Sequence, residues 1–363
     1  LSGVLQAVSI SQPVMAALER EGFAGSVLSA FAGACNLVSG RGEVVALVSQ
    51  RVGNGPLNIV LEGDGFLFRG LEAGLPVEGD GHSIRVGEAL NNEPYRVSLA
   101  GAEVWEPWLE WDGLNADRPG LKANLAVLHD HLIAQAPGGS LACLGGYGNP
   151  SYLVASAVGG RSLESTYRKA ARRAIEGLLA ALRAGDRQGI AAGAAALAGL
   201  GPGLTPAGDD FLLGLMAGLR TWPQFLAGRG LSVEEACQAI CGAAAGRTNL
   251  LSMALLRSAR EGMFGEAWHI LLAALRHGKA DEVRRAVDHV LGFGGTSGAD
   301  ALSGFLAVSR NEKKLDLTVS GSLSHRALRL GPRYRALRSL SLVRQPTRYR
   351  YSHSLTTCPA THI

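Results

Sequence analysis

The sequence predicts an α+β fold: an N-terminal antiparallel β barrel or sandwich over residues 1–110, then a mostly α-helical domain over 111–308 that carries two glycine-rich loops. Three observations lead there. Short apolar runs cut by glycine and polar turns fill the first part, and apolar residues at helical spacing fill the second. Two glycine-rich phrases, 199–210 and 292–300, each feed an aspartate into a helix start.

Taken in order, a helix at 14–21 should pack against the β domain, whose strands are expected at 27–31, 44–48, 57–61, 66–68, 83–86 and 95–99. The turns Ser39-Gly40-Arg41-Gly42 and Glu62-Gly63-Asp64-Gly65 have hairpin chemistry, because glycine supplies the positive φ that such turns need. Strand spacing suits a small barrel or sandwich. After the aromatic stretch from Trp105 to Trp111 the period changes: Leu163, Tyr167, Ala171, Ala174, Leu178 and Leu182 share one face of a helix over 162–184. Further helices are expected at 121–135, 187–198, 211–219, 233–245, 250–261, 266–276 and 281–291, with a last one starting at 300–306. Ser232 and Glu235 form a capping box for the one beginning at Val233.

Composition narrows the function classes. A chain of 363 residues, 47% hydrophobic, can bury substantial cores. The uncharged stretch 189–208 could be mistaken for a membrane span, but its Gly-Pro content and helix-breaking second half argue against that reading. The five cysteines are scattered and odd in number, which fits a reduced, cytoplasmic setting. The formal charge of +4 hides a split, since from Arg310 onward eleven Lys/Arg stand against two acids and the body before them carries a net −5. A mildly acidic body argues against a nucleic-acid partner. The basic tail 309–363 lacks apolar periodicity and is expected to be disordered or foreign to the fold.

The candidate chemistry lies in the two loops. Gly201-Pro202-Gly203-Leu204-Thr205-Pro206-Ala207-Gly208-Asp209-Asp210 is echoed by Gly292-Phe293-Gly294-Gly295-Thr296-Ser297-Gly298-Ala299-Asp300, and laying Gly208 on Gly298 brings Asp210 onto Asp300 and Gly214 onto Gly304. No lysine follows in the Gly-Lys-Ser/Thr position, which excludes a conventional phosphate loop. What remains is the helix N-terminus itself, whose free amides and dipole hold an anion. Asp209, Asp210 and Asp300 could alternatively be plain helix caps. Each loop, however, carries more polar groups than a cap requires, and Arg247-Thr248-Asn249 adds a cation and two polar side chains at another helix start. Asn36 and Asn54 of the β domain either bond turns or reach the interdomain cleft. His129 and His131 are two apart on a helix and diverge, so no metal pair is expected there. Cys237 and Cys241 read as core residues.

Together with Cys35-Asn36-Leu37-Val38-Ser39 and Gly55-Pro56-Leu57-Asn58-Ile59, these loops resemble the AllH family, a subunit of oxamate carbamoyltransferase, over roughly residues 20–308. The resemblance implies a role in anaerobic purine and allantoin nitrogen breakdown, in a complex that interconverts oxalurate plus phosphate with oxamate plus carbamoyl phosphate. It implies partner subunits, a small carboxylate or phosphate substrate, and no membrane. A noncatalytic scaffold or a small-anion-binding subunit of another complex is the competing reading. The loop argument nominates Asp209, Asp210 and Asp300 as catalytic, with Gly203, Thr205, Gly208, Arg247, Thr248, Asn249, Thr296, Ser297, Gly298 and Asn36 as substrate-binding. No cofactor is expected, although the carboxylates could coordinate Mg²⁺.

Overall fold

The computed structural model describes residues 4–63, 67–88, 94–110, 119–144 and 166–309. Nine strands open the chain: β1 (Val4–Ser11), β2 (Phe23–Ala30), β3 (Ala34–Ser39), β4 (Val44–Ser49), β5 (Asn58–Leu61), β6 (Pro76–Gly79), β7 (Ser83–Glu88), β8 (Pro94–Ser98) and β9 (Glu103–Trp105). They pair in the order β5-β4-β3-β2-β6-β7-β8-β1-β9, and a further pairing of β5 with β1 closes the first eight into a barrel. One edge of β1 is shared by β8, along Val4 to Gln6, and by β9, along Ser9 to Ser11. The helix α1 (Gln12–Glu21) lies between β1 and β2 in sequence.

The barrel is mixed, where an antiparallel one was expected. β1 runs parallel to β8 and β9, and β4 runs parallel to β5. Alternation of apolar residues reports that a segment is a strand but carries no information on the direction of its neighbour. β1 itself, with Gln6, Ser9 and Ser11 among its residues, lacks a strong apolar signal, and β3, β6 and β9 were likewise not anticipated. The strand expected at 66–68 is not formed where it is described: Leu67 and Phe68 lie in a turn, with Phe68 buried.

Burial explains the residues of β4. Val45 and Leu47 point into the barrel core with Ile10, Leu37, Ile59 and Val97, while Ala46 and Val48 join Val60 in a second cluster on the outer face. A strand covered on both sides reads as an unbroken apolar run, as Val44 to Val48 does.

Beyond the barrel come the helices α2 (Pro119–Gln135), α3 (Thr166–Ala184), α4 (Arg187–Leu197), α5 (Ala207–Thr221), α6 (Val233–Ala244), α7 (Leu250–Arg260), α8 (Glu266–His277), α9 (Ala280–Leu291) and α10 (Ser297–Ala307). The Ser232–Glu235 capping box is formed as expected. Leu178 and Leu182 of α3 are buried with Ile190, Ala194 and Leu197 of α4. At the centre, α5 and α10 lie side by side with their N-termini at the same end and almost every residue buried. Glycine makes that approach feasible: a Cβ on Gly214 would overlap the carbonyl of Ala301, and one on Gly304 would overlap the carbonyl of Phe211. The two contacts mirror each other, in the same register by which the two loop phrases align. Below them the rings of Trp222 and Phe305 stand 4.7 Å apart, and Trp268 packs on Phe305 at 5.5 Å.

The barrel meets the helices through β9 and the segment after it. The amide of Phe264 donates to Pro107 O at 2.9 Å, Trp105 stacks on His269 at 5.2 Å, and Glu266 and Asn54 bond to each other. Barrel and helices belong to one contiguous unit, Leu1–Glu312. Residues 310–363, most of the predicted basic tail, lie outside the described residues.

Candidate functional site

Both aspartate phrases sit at the shared end of the central helix pair. α5 begins at Ala207, earlier than the sequence pattern indicated, so Asp209 and Asp210 lie within its first turn rather than ahead of it. The N-caps are Pro206 for α5 and Thr296 for α10, neither with a side-chain cap bond, so none of the three aspartates is an N-cap. Asp209, Asp210 and Asp300 are buried, at 2%, 7% and 0% exposure. Three buried acids need partners, and the partners differ.

Asp209 is a latch. Its Oδ1 accepts the Gly199 amide at 2.9 Å and its Oδ2 accepts the Thr248 hydroxyl, tying the start of the first loop to the segment ahead of α7. Burial raises its pKa, and the Thr248 hydroxyl and Gly199 amide pull the other way. Asn249 caps α7 by accepting Ser252 N at 2.9 Å, while its Nδ2 donates to Leu204 O at 2.8 Å. Thr248 and Asn249 therefore hold the first loop in place. Arg247 has an exposed side chain, and its backbone carbonyl backs onto Gly199.

Asp210 and Asp300 face the junction of the two loops. Thr205 Oγ1 donates to Asp210 Oδ2 at 3.2 Å and lies 2.9 Å from Ser297 Oγ, so residues 92 positions apart join the loops directly. Burial pushes Asp210 up to about 8, aided by the negative charge of Asp300, with the Ser297 hydroxyl opposing. Burial likewise lifts Asp300 to about 6, against the Leu141 amide, the Thr296 hydroxyl and the guanidinium of Arg168. Burial thus holds both carboxyls above the ordinary carboxylate range, Asp210 more than Asp300, and the charge of Asp300 adds to the rise at Asp210.

Gly203 takes a positive φ of 111° on the exposed part of the first loop. Gly208 and Gly298 are buried in the first turns of α5 and α10, against the backbone of Leu197 and Val290 respectively. Asn36 sits apart from these contacts, in β3, donating to Ser29 Oγ at 3.0 Å. Asn54 is the asparagine that reaches across to the helical half. Sequence reasoning missed Leu141, whose amide donates to Asp300 Oδ1 at 2.5 Å; the adjacent Gly138-Gly139-Ser140 phrase was the available signal. The phrase Gly145-Gly146-Tyr147-Gly148-Asn149-Pro150, which the sequence offers with it as a third loop or a plain turn, lies outside the described residues.

Among the described residues no group of three or more His, Cys, Asp or Glu side chains comes together as a metal site. His131 instead bonds Asp288 at 2.7 Å, and His129 bonds Asp130 at 3.2 Å. No helix of the described residues is long and apolar enough to cross a membrane.

With this geometry in view, comparison with known families is decisive. The family model described as oxamate carbamoyltransferase subunit AllH matches residues 197–309, and the AllH family N-terminal domain matches residues 6–104. The chain belongs to the AllH family. The first match covers both loops and the central helix pair, and the second covers the barrel up to β9. AllH is a subunit, so the family works within a multi-subunit complex. No curated protein and no solved structure matches the chain.

Proposed function

We propose that this chain contributes a small-molecule site to an oxamate carbamoyltransferase, which converts oxalurate and phosphate to oxamate and carbamoyl phosphate in anaerobic purine nitrogen breakdown in the cytoplasm. The observation that carries the reading is the Thr205–Ser297 contact, which joins the two loops at two parallel helix N-termini beside the buried Asp210, itself bonded to Thr205. Helix N-termini favour the phosphate or carboxylate of such substrates. The carboxyl pair behind them suits the nitrogen-bearing end. Carbamoyl transfer needs the carbonyl polarised, the phosphate held and the amide nitrogen positioned, and the two kinds of group divide that work.

Asp210→Asn, in the complex reconstituted with its partner subunits, should lower carbamoyl transfer by about 100-fold, the scale of a lost acid–base or positioning group. Assembly, followed by size-exclusion chromatography, should be unchanged. Equal loss of both would make Asp210 structural. A second reading, a scaffold whose loops dock a partner, is favoured by one observation: Leu204 and Phe293, one on each loop, are exposed. Unchanged partner binding by a Leu204→Ser/Phe293→Ser chain would reject it.

A further inference from the structure

One buried polar atom at the site is unaccounted for. Asp300 is fully buried, its Oδ1 takes the Leu141 amide and the Thr296 hydroxyl also favours its charged form, yet its Oδ2 makes no hydrogen bond among the described residues. The hydroxyl of Ser140, on the residue preceding that amide, is fully buried and unpartnered as well. Native interiors leave few such groups, because an unmet acceptor loses its hydration for nothing. Two of them flanking one backbone contact, beside a second carboxyl, mark a place shaped for a group that brings its own donors.

We propose that the Asp210–Asp300 pair recognises the terminal amide of the substrate, with Asp300 Oδ2 accepting an amide N–H, so that the site admits a C(=O)NH₂ end and rejects an isosteric carboxylate. The inference rests on the loops being a small-substrate site. A carboxylate in that position would bring a further negative charge next to Asp300, and no donor for Oδ2. The Arg168 guanidinium, whose own Nε is also buried without a partner, acts on Asp300 electrostatically and favours its charged form, which leaves Oδ2 an acceptor. The proton retained on Asp210 is a donor for the amide carbonyl, which completes the complement of a primary amide: one acceptor for its N–H and one donor for its oxygen. The charged end of the same small molecule then falls toward the loop amides and the hydroxyls of Thr205 and Ser297.

The test is calorimetric titration of the full chain, alone and assembled with its partner subunits, with oxamate and with oxalate, which differ only in amide against carboxylate. Oxamate should bind at least tenfold more tightly than oxalate. Asp300→Asn, which puts a donor where the acceptor stood, should weaken oxamate at least tenfold and abolish the preference. The wild-type ligand pair decides the matter even if the variant fails to fold. Equal affinities, a preference for oxalate, absence of oxamate binding in both forms, or a folded Asp300→Asn chain with the wild-type preference would each overturn the proposal. Carbamoyl transfer measured on the same assembly separates the two readings. A clear amide preference without turnover supports this inference and sinks the proposed reaction, whereas turnover without the preference sinks this inference alone.

Discussion

Asp209, Asp210 and Asp300 are one residue type at one end of a helix pair, yet their surroundings give them different work. Asp209 has both oxygens occupied by Gly199 and Thr248 and serves the loop's shape. Asp300 keeps one oxygen unmet, and burial holds the Asp210 carboxyl well above the ordinary carboxylate range. This has a consequence for stability. Because burial raises Asp210 to about 8 and Asp300 to about 6, both above the ordinary carboxylate value, the folded chain binds protons that the unfolded chain releases. Their contribution is fully present below the unfolded pKa and is lost as pH rises through about 6 and then about 8. Wild type should therefore lose denaturation midpoint between about pH 5 and about pH 9. Asp210→Asn, which has no charge to bury, should show a smaller loss and be the more stable chain at the alkaline end. Parallel curves for the two proteins would refute the assignment of the raised group.

At the scale of elements, the central feature is the α5–α10 pair and its reciprocal glycine contacts. Gly214→Ala or Gly304→Ala forces a methyl into the opposing backbone and should cost at least about 2 kcal/mol, measured by chemical denaturation. A loss within experimental error would mean that the helices can part without penalty. Much of this layer was legible in the sequence. The echo of Gly208, Asp210 and Gly214 in Gly298, Asp300 and Gly304 indicated two equivalent helix starts, and the structure pairs them. The helices themselves followed from apolar spacing, with α5 extended by one turn because Pro206, a residue suited to a helix start, precedes Ala207. Strand direction was not legible, since β1–β8 and β4–β5 are parallel for reasons set by how the barrel closes. Nor was the role of Leu141, because a backbone amide donates whatever its side chain and leaves no mark in the sequence. Asn36, nominated for the site, bonds Ser29 within the sheet instead, as a polar side chain in a buried strand must.

For the whole molecule, barrel and helices communicate through a small polar joint. Glu266, in the first turn of α8, accepts the backbone amide and side-chain amide of Asn54 at 3.2 Å each, its own amide donates to Asn54 O at 3.0 Å, and Ser9 Oγ donates to Asn54 Oδ1 at 2.5 Å. Glu266→Ala should lower stability by about 1 kcal/mol, the scale of lost hydrogen bonds at a partly buried joint. It should also raise hydrogen exchange at Asn54 while leaving the α5–α10 amides protected. Unchanged exchange at Asn54 would show that the joint is not what holds the loop. The Thr205–Ser297 contact bears on a different matter, the making of the protein. Its two halves leave the ribosome 92 residues apart, so a nascent chain carries the first loop well before the second exists, and the junction between the loops forms only when the segment around residue 300 docks.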